Sequence, residues 1–139
     1  MAARRRRRGV REREVAEVNT LWVPGPTPGM NELIDAAKGT GGRGAAYARI
    51  KRTWTDTIVL LARAAKLEPV ERARLVFDWF EPKRNRDPDN IAAGGRKLIL
   101  DGLVKAKVLP GDGWKHVVGW SDYFEVGDKP GVLVTLVPA

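Results

Sequence analysis

The sequence predicts an α+β fold: a single domain in which a mixed β-sheet packs against two helices, in the order β-α-β-α-β-β. Three observations carry this. The chain has 139 residues, the length of one ordinary domain. Apolar residues make up 43% of it, the usual share for a chain with a conventional core. Segments with apolar residues three or four apart alternate with segments in which every second residue is apolar, and no internal repeat appears.

Taken in order, Val15 to Val23 alternates loosely, with Val18, Thr20 and Trp22 on one side, and reads as a first strand. Pro24-Gly-Pro-Thr-Pro-Gly29 ends it as a rigid loop. Gly39-Thr-Gly-Gly-Arg-Gly44 is a flexible link that lacks the spacing and the terminal Lys-Ser/Thr of a phosphate-binding loop. From Ala45 to Leu67 the period is helical: Ile50, Trp54, Ile58, Leu61 and Ala65 form one apolar stripe, and Pro69 closes the helix. Arg74 to Glu81 is the clearest strand, with Leu75, Phe77 and Trp79 on the face opposite Val76, Asp78 and Phe80. The polar connection from Pro82 to Asn90 leads to a second helix from about Ile91 to Ala106. Gly94 and Gly95 predict a fray or kink there, because each costs about 1 kcal/mol against Ala in a helix interior. Two strands, Lys115 to Val126 and Gly131 to Val137, close the chain, with Gly127-Asp-Lys-Pro130 between them reading as a hairpin turn.

Charge excludes some functions and suggests others. There is no cysteine, which removes disulfide scaffolds, cysteine-ligated zinc and cysteine nucleophiles. No apolar run approaches the roughly 20 residues of a membrane helix, and the basic start is followed by no apolar stretch, so neither a membrane span nor a secretory signal is expected and the default compartment is the cytoplasm. The formal charge is +8, of which residues 1–14 alone hold +5, with seven arginines against two glutamates. The chain therefore divides into a basic tail, 1–14, expected to be disordered and able to grip phosphates without sequence preference, and a folded domain, 15–139. Within the domain, Arg49, Lys51 and Arg52 fall in a stretch without acids. Lys83, Arg84, Arg86, Arg96 and Lys97 surround Asp87 and Asp89.

That acid pair is the chemical signal. Pro88 biases Asp87 toward an extended backbone, in which residues two apart face the same way, so Asp87 and Asp89 can converge at the rim of the sheet. Asp89 or Asn90 could instead cap the following helix. Lys97, Asp101 and Lys105 share one helix face, and Asp112 follows in a glycine turn. Carboxylates in a basic surround suit Mg²⁺, a hard ion held by a few acids with water and substrate phosphate. A helix of about 15 residues spans about 22 Å, however, so Asp112 reaches Asp87 only across a returning loop, a helix break or two subunits.

Arg86-Asp-Pro-Asp-Asn-Ile91, then Arg96-Lys-Leu-Ile-Leu-Asp-Gly-Leu103, then Val108-Leu-Pro-Gly-Asp-Gly-Trp114 resemble the RusA-type Holliday junction resolvases, a family of small dimeric crossover junction endodeoxyribonucleases of phages and prophages. Lys97 precedes Asp101 by four residues and Asp112 follows it by eleven, the family's spacings, and Pro28-Gly-Met-Asn31 is similar to its Pro-x-x-Asn. The gap between Asn90 and Lys97 is longer than in the family's short form, and the acidic turn holds one acid where a pair is common. The resemblance covers roughly residues 18 to 126. It implies a RusA-like fold, a homodimer in bacterial cytoplasm, and Mg²⁺-dependent resolution of four-way DNA junctions by paired phosphodiester hydrolysis. It also implies that Asp87, Asp89 and Asp112 are metal-binding catalytic acids and Lys97 the catalytic lysine; read from the residues themselves, Asn90 is expected to order the acid loop and Asp101 to support Lys97 as its ion-pair partner. Arg49, Lys51, Arg52, Lys83, Arg84, Arg86 and Arg96 would then position DNA phosphates. Two other readings stay open: a noncatalytic basic nucleic-acid-binding protein, and a metal-dependent nuclease on another DNA or RNA substrate. Among the remaining residues, His116 reads as structural, and Trp54, Trp114 and Trp120 read as packing residues, with base stacking as the alternative.

Overall fold

The computed structural model describes residues 19–39 and 44–139, so the predicted basic tail, the start of the first strand and most of the glycine link lie outside the described residues. The elements are β1 (Thr20–Pro24), α1 (Met30–Lys38), α2 (Ala45–Ala64), β2 (Ala73–Glu81), α3 (Pro88–Lys105), β3 (Val117–Val126) and β4 (Gly131–Pro138). The α+β class and the mixed sheet agree with the sequence. The helix count does not, because α1 occupies a segment expected to carry no element. Its apolar residues Met30, Leu33, Ile34 and Ala37 keep a helical spacing, but the run is only nine residues long and lies between the proline loop and the glycine link, so it reads as part of a connection.

The four strands form one sheet in the order β1-β4-β2-β3. β4 runs antiparallel to both β1 and β2, while β2 and β3 are parallel, with Leu75 beside Trp120 and Trp79 beside Phe124. The expected β3–β4 hairpin is therefore absent. Gly127 to Pro130 carries the chain across the end of β2, where the Gly127 N–H donates to the Glu81 carbonyl and the Gly25 N–H to the Pro130 carbonyl, each at 2.9 Å. β2 and β4 thus each take a neighbour on both sides.

One face of the sheet carries the core: Leu21 and Val23, Leu75, Phe77 and Trp79, and Val132, Val134 and Leu136, closed by Ile58 and Ala62 of α2 and Ile91, Ile99 and Leu103 of α3. Trp54 packs against this cluster, as expected. α3 runs through Gly94-Gly95 without interruption, and both glycines are buried contact points. A Cβ at Gly94 would lie 2.4 Å from the Pro28 carbonyl oxygen, and one at Gly95 2.6 Å from the Trp79 ring. Gly102 is placed likewise against Ile58, at 2.4 Å. The glycines let α3 lie directly on the sheet, on α2 and on the loop before α1.

Both long helices end in the same way. Lys66 and Lys107 take left-handed φ angles of 54° and 62°. Leu67 N–H then bonds the Ala62 carbonyl and Val108 N–H the Leu103 carbonyl, the paired closure normally built on glycine. The first of these ends α2 at Ala64, before Pro69 is reached. No helix among the described residues is long and apolar enough to cross a membrane.

Candidate active site

The acid pair stands at the start of α3, and its setting follows from local sequence. Pro88 occupies the first turn, where its fixed φ and missing N–H cost nothing. That makes Asp87 the N-cap, in place of Asp89 or Asn90. Its backbone is extended (φ −69°, ψ 142°), but its side chain makes no capping hydrogen bond. Asp89 lies within the first helical turn, so the same-face geometry of an extended pair applies to Asp87 alone. Both residues are exposed, and both lie at the positive end of the α3 dipole, which favours carboxylates.

Two side chains fix this end. Arg86 donates from Nε to Glu81 Oε1 at 2.6 Å and from Nη1 to the Thr27 carbonyl at 2.8 Å, tying the approach loop to β2 and to the proline loop. Asn90 accepts the Asn31 N–H on Oδ1 at 2.8 Å and packs against Gly29, so it supports the start of α1. The Pro28–Asn31 segment and the acid loop therefore meet in space. A cavity of about 280 Å³ opens beside Asp87, lined by Lys83, Arg84, Arg86, Ile91 and, from the end of β3, Phe124, Glu125 and Val126.

Asp112 is elsewhere. It lines a larger cleft of about 510 Å³ between α2 and the far end of α3, with Lys51, Arg52, Thr55, Asp101 and Lys105. Asp101 pairs with Lys51 at 3.6 Å rather than with Lys97, and Lys105 pairs with Asp56 of α2. The 18 residues of α3 rise about 27 Å, so one chain does not bring Asp112 to Asp87 and Asp89. Among the described residues, no group of three or more His, Asp or Glu side chains converges as a metal cage. Lys97 is exposed on α3, roughly 12 Å along the axis from Asp89, or two turns. Asp87 and Asp89 still fit Mg²⁺, which takes one or two carboxylates and completes its shell with water and phosphate.

The seven expected phosphate contacts divide. Arg49, Lys51, Arg52, Lys83 and Arg84 are exposed. Arg86 is engaged as described above, and Arg96 is engaged too. Its Nη1 donates to Asp122 Oδ2 at 2.6 Å, and its guanidinium lies over the Trp120 ring at 4.7 Å. Asp122 also accepts the Trp79 Nε1–H at 2.9 Å. These two arginines hold the fold together, so their charge is already matched by internal acids.

Sequence reasoning overlooked Asp122 and the end of β3. Their alternation is visible, but assigning Trp120, Asp122 and Phe124 to the helix side requires the parallel register with β2. Trp114, expected to pack, is 96% exposed. His116 is structural, its Nδ1 lying 2.8 Å from the Glu71 carbonyl. On the opposite side of the sheet, burial and then the nearby Glu125 charge raise the Asp78 pKa above the ordinary carboxylate value.

Compared with models of known protein families and with curated protein sequences, the chain matches none.

Proposed function

We propose that the protein is a Mg²⁺-dependent, structure-selective endodeoxyribonuclease of the RusA type, acting as a cytoplasmic homodimer on four-way DNA junctions. The observation that carries this reading is the exposed Asp87–Asp89 pair at the start of α3, beside Lys83 and Arg84, which are exposed and form no ion pair among the described residues. Two solvent-facing carboxylates repel a phosphate backbone unless a cation intervenes, and the surrounding lysine and arginine draw that backbone in. The sequence motifs add Lys97 and Asp112 at the family's distances from Asp101.

Asp87 and Asp89 would hold the ion, with Asp112 joining from a second chain. Mg²⁺ bound there supplies charge against the scissile phosphate and makes water a stronger nucleophile. The chain's own groups do the positioning. Lys83 and Arg84 grip phosphates on the approach to the acids, and Lys97 meets the strand further along α3. Arg49 and Arg52 extend the basic track over α2. Glu81, through Arg86, fixes the acid loop against β2 and the proline loop.

The test compares cutting of a labelled four-way junction with cutting of matched linear duplex and RNA, with and without Mg²⁺, for the wild type and for Asp89→Asn. The expected result is paired nicks confined to the junction, requiring Mg²⁺ and lost in the variant. Junction binding without cleavage under any divalent ion identifies a noncatalytic binding protein. Equal cutting of duplex or RNA identifies a nuclease of different substrate.

A further inference from the structure

Four of the five tryptophans have a partner within the fold. Trp79 is buried beside Phe77, Trp54 packs against the core, Trp22 meets the Phe80 ring at 5.8 Å, and Trp120 lies under the Arg96 guanidinium. Trp114 has none. It is 96% exposed and makes no ring contact or hydrogen bond among the described residues. Its position is nevertheless well anchored. The Gly113 carbonyl accepts the N–H groups of His116 at 3.0 Å and of Val117 at 2.9 Å, closing the chain around Trp114 and Lys115 into a turn. The far side of that turn is tied to the chain before β2, where the Ala73 N–H donates to the His116 carbonyl at 2.8 Å and the His116 ring meets the Glu71 carbonyl. A Cβ at Gly111 would lie 3.2 Å from the same imidazole, so the approach to the turn is packed as well. The fold thus presents an indole to water at a fixed place, and a ring held this way loses little further backbone freedom on meeting a ligand.

The surroundings select the ligand. On one side of the ring's residue stands Gly113, beside which there is open space, and on the other Lys115, which is exposed. Neither neighbour extends the ring into an apolar patch of the kind that forms the core of a protein interface. One ring beside a lysine does not suit a cation, which is held by several rings together. What fits is a flat aromatic face joined to negative charge, a nucleobase on its phosphate strand. Trp114 follows Asp112 by two residues, about 7 Å of chain at most, and so adjoins the basic cleft. In that cleft Arg52 is exposed and in no ion pair among the described residues.

We propose that Trp114 is a stacking platform for an unpaired base of a DNA strand, with Lys115 and Arg52 meeting the flanking phosphates. Within a duplex each base is covered on both faces by the neighbouring pairs. The ring therefore takes only a base of a single strand, or one uncovered where stacking is interrupted. The crossover of a four-way junction is such an interruption, so the contact gives a junction-cutting enzyme a means of telling its substrate from continuous duplex. That consequence rests on the proposed nuclease reading, whereas the stacking itself does not depend on cleavage.

The test titrates the full-length protein, in Mg²⁺-free buffer, with oligo(dT) and with a relaxed, covalently closed duplex circle, which has neither ends nor unpaired bases. Oligo(dT) should quench the long-wavelength tryptophan emission of the wild type. Trp114→Ala should bind it about ten- to a hundredfold more weakly, the worth of one stacked base. Trp114→Phe should recover most of that affinity, since a phenyl ring still stacks. Affinity for the duplex circle should be the same in all three proteins. Circular dichroism should not change either, because the side chain packs against nothing in the fold. Unaltered oligo(dT) affinity in Trp114→Ala overturns the proposal. So does an equal loss on the duplex circle, or a changed sedimentation coefficient, which would assign the ring to a contact between protein chains. A wild type that stacks the base but cuts no junction upholds the platform and removes the nuclease reading. Mg²⁺-dependent junction cutting, with Trp114→Ala binding oligo(dT) as tightly as the wild type, removes the platform alone.

Discussion

The two ends of α3 carry acids in opposite settings. At the N-terminal end, Asp87 and Asp89 are exposed, unpaired by any ion pair among the described residues, and flanked by Lys83 and Arg84, which are also unengaged. At the C-terminal end, Asp101 is mostly buried and paired with Lys51, and Lys105 is paired with Asp56. The first end keeps its charge available to a ligand. The second uses most of its charge to hold α2 against α3, leaving Asp112 as the exposed acid of the cleft. The same residue types therefore do different work according to whether a neighbouring element offers a counter-charge, and α3, unbroken through its glycines, keeps the ends apart.

The sharpest way to break this comparison is to remove one acid from each end. Asp89→Asn and Asp112→Asn should each lower Mg²⁺-dependent junction cleavage by about a hundredfold or more, because loss of a ligand to the ion forfeits several kcal/mol of transition-state stabilisation. Gel-shift binding of the junction should persist in both. If only Asp89→Asn loses cleavage, the two ends do not serve one reaction.

Next in size is the rigidity that separates the ends. Gly94→Ala forces a Cβ onto the backbone of Pro28 and Gly29, and should cost about 1–3 kcal/mol in urea unfolding. A neutral result would mean that the loop before α1 yields, and that the N-terminal end is less firmly held than its contacts imply. Charge at the two ends should then separate in binding. Lys83→Ala with Arg84→Ala should reduce the slope of log K against log salt by about 2, one phosphate contact each. Lys51→Ala should change stability by less than about 1 kcal/mol, since its partner is fixed but Lys51 itself is half exposed.

The smallest effect lies away from both ends. The folded-state pKa of Asp78 is raised, so the native state binds its proton more readily than the unfolded chain does, and stability falls as pH rises through the interval between the two values. Asp78→Asn should therefore raise Tm slightly at pH 7, by about 1–2 °C. The gain should disappear at pH values below the ordinary aspartate range, where both proteins carry a neutral group.

Much of the fold was legible because burial imposes a period. Leu75, Phe77 and Trp79 of β2, and Ile58 and Leu61 of α2, could be assigned to the core from spacing alone. What failed had local causes. α1 keeps a helical spacing in Met30, Leu33, Ile34 and Ala37, but at nine residues between proline-rich and glycine-rich segments its signal is short. The helix ends at Lys66 and Lys107 use left-handed lysines where glycine is the usual marker. Gly94 and Gly95 looked like weak points of a helix, since sequence reports their cost in backbone freedom and not the neighbours that require them to be small. The candidate acids were legible as residue types in a pattern. Their separation was also foreseeable from helix length, whereas the pairing of Asp101 with Lys51 was not.

By itself, the sequence determined the class of the domain, its excess of positive charge, its main core residues, and the nearness of an acid pair to the start of a helix. These depend on periodicity, turn chemistry and composition, which are local. Only the tertiary structure decided that β3 lies beside β2 in parallel and β4 does not pair with β3, that Arg86 and Arg96 serve the fold, and that Asp112 faces a different cleft from Asp87. Those facts depend on which distant groups meet. A guanidinium neutralised by Glu81 or Asp122 reads the same in sequence as a free one, and becomes a different chemical group only when the chain brings its partner to it.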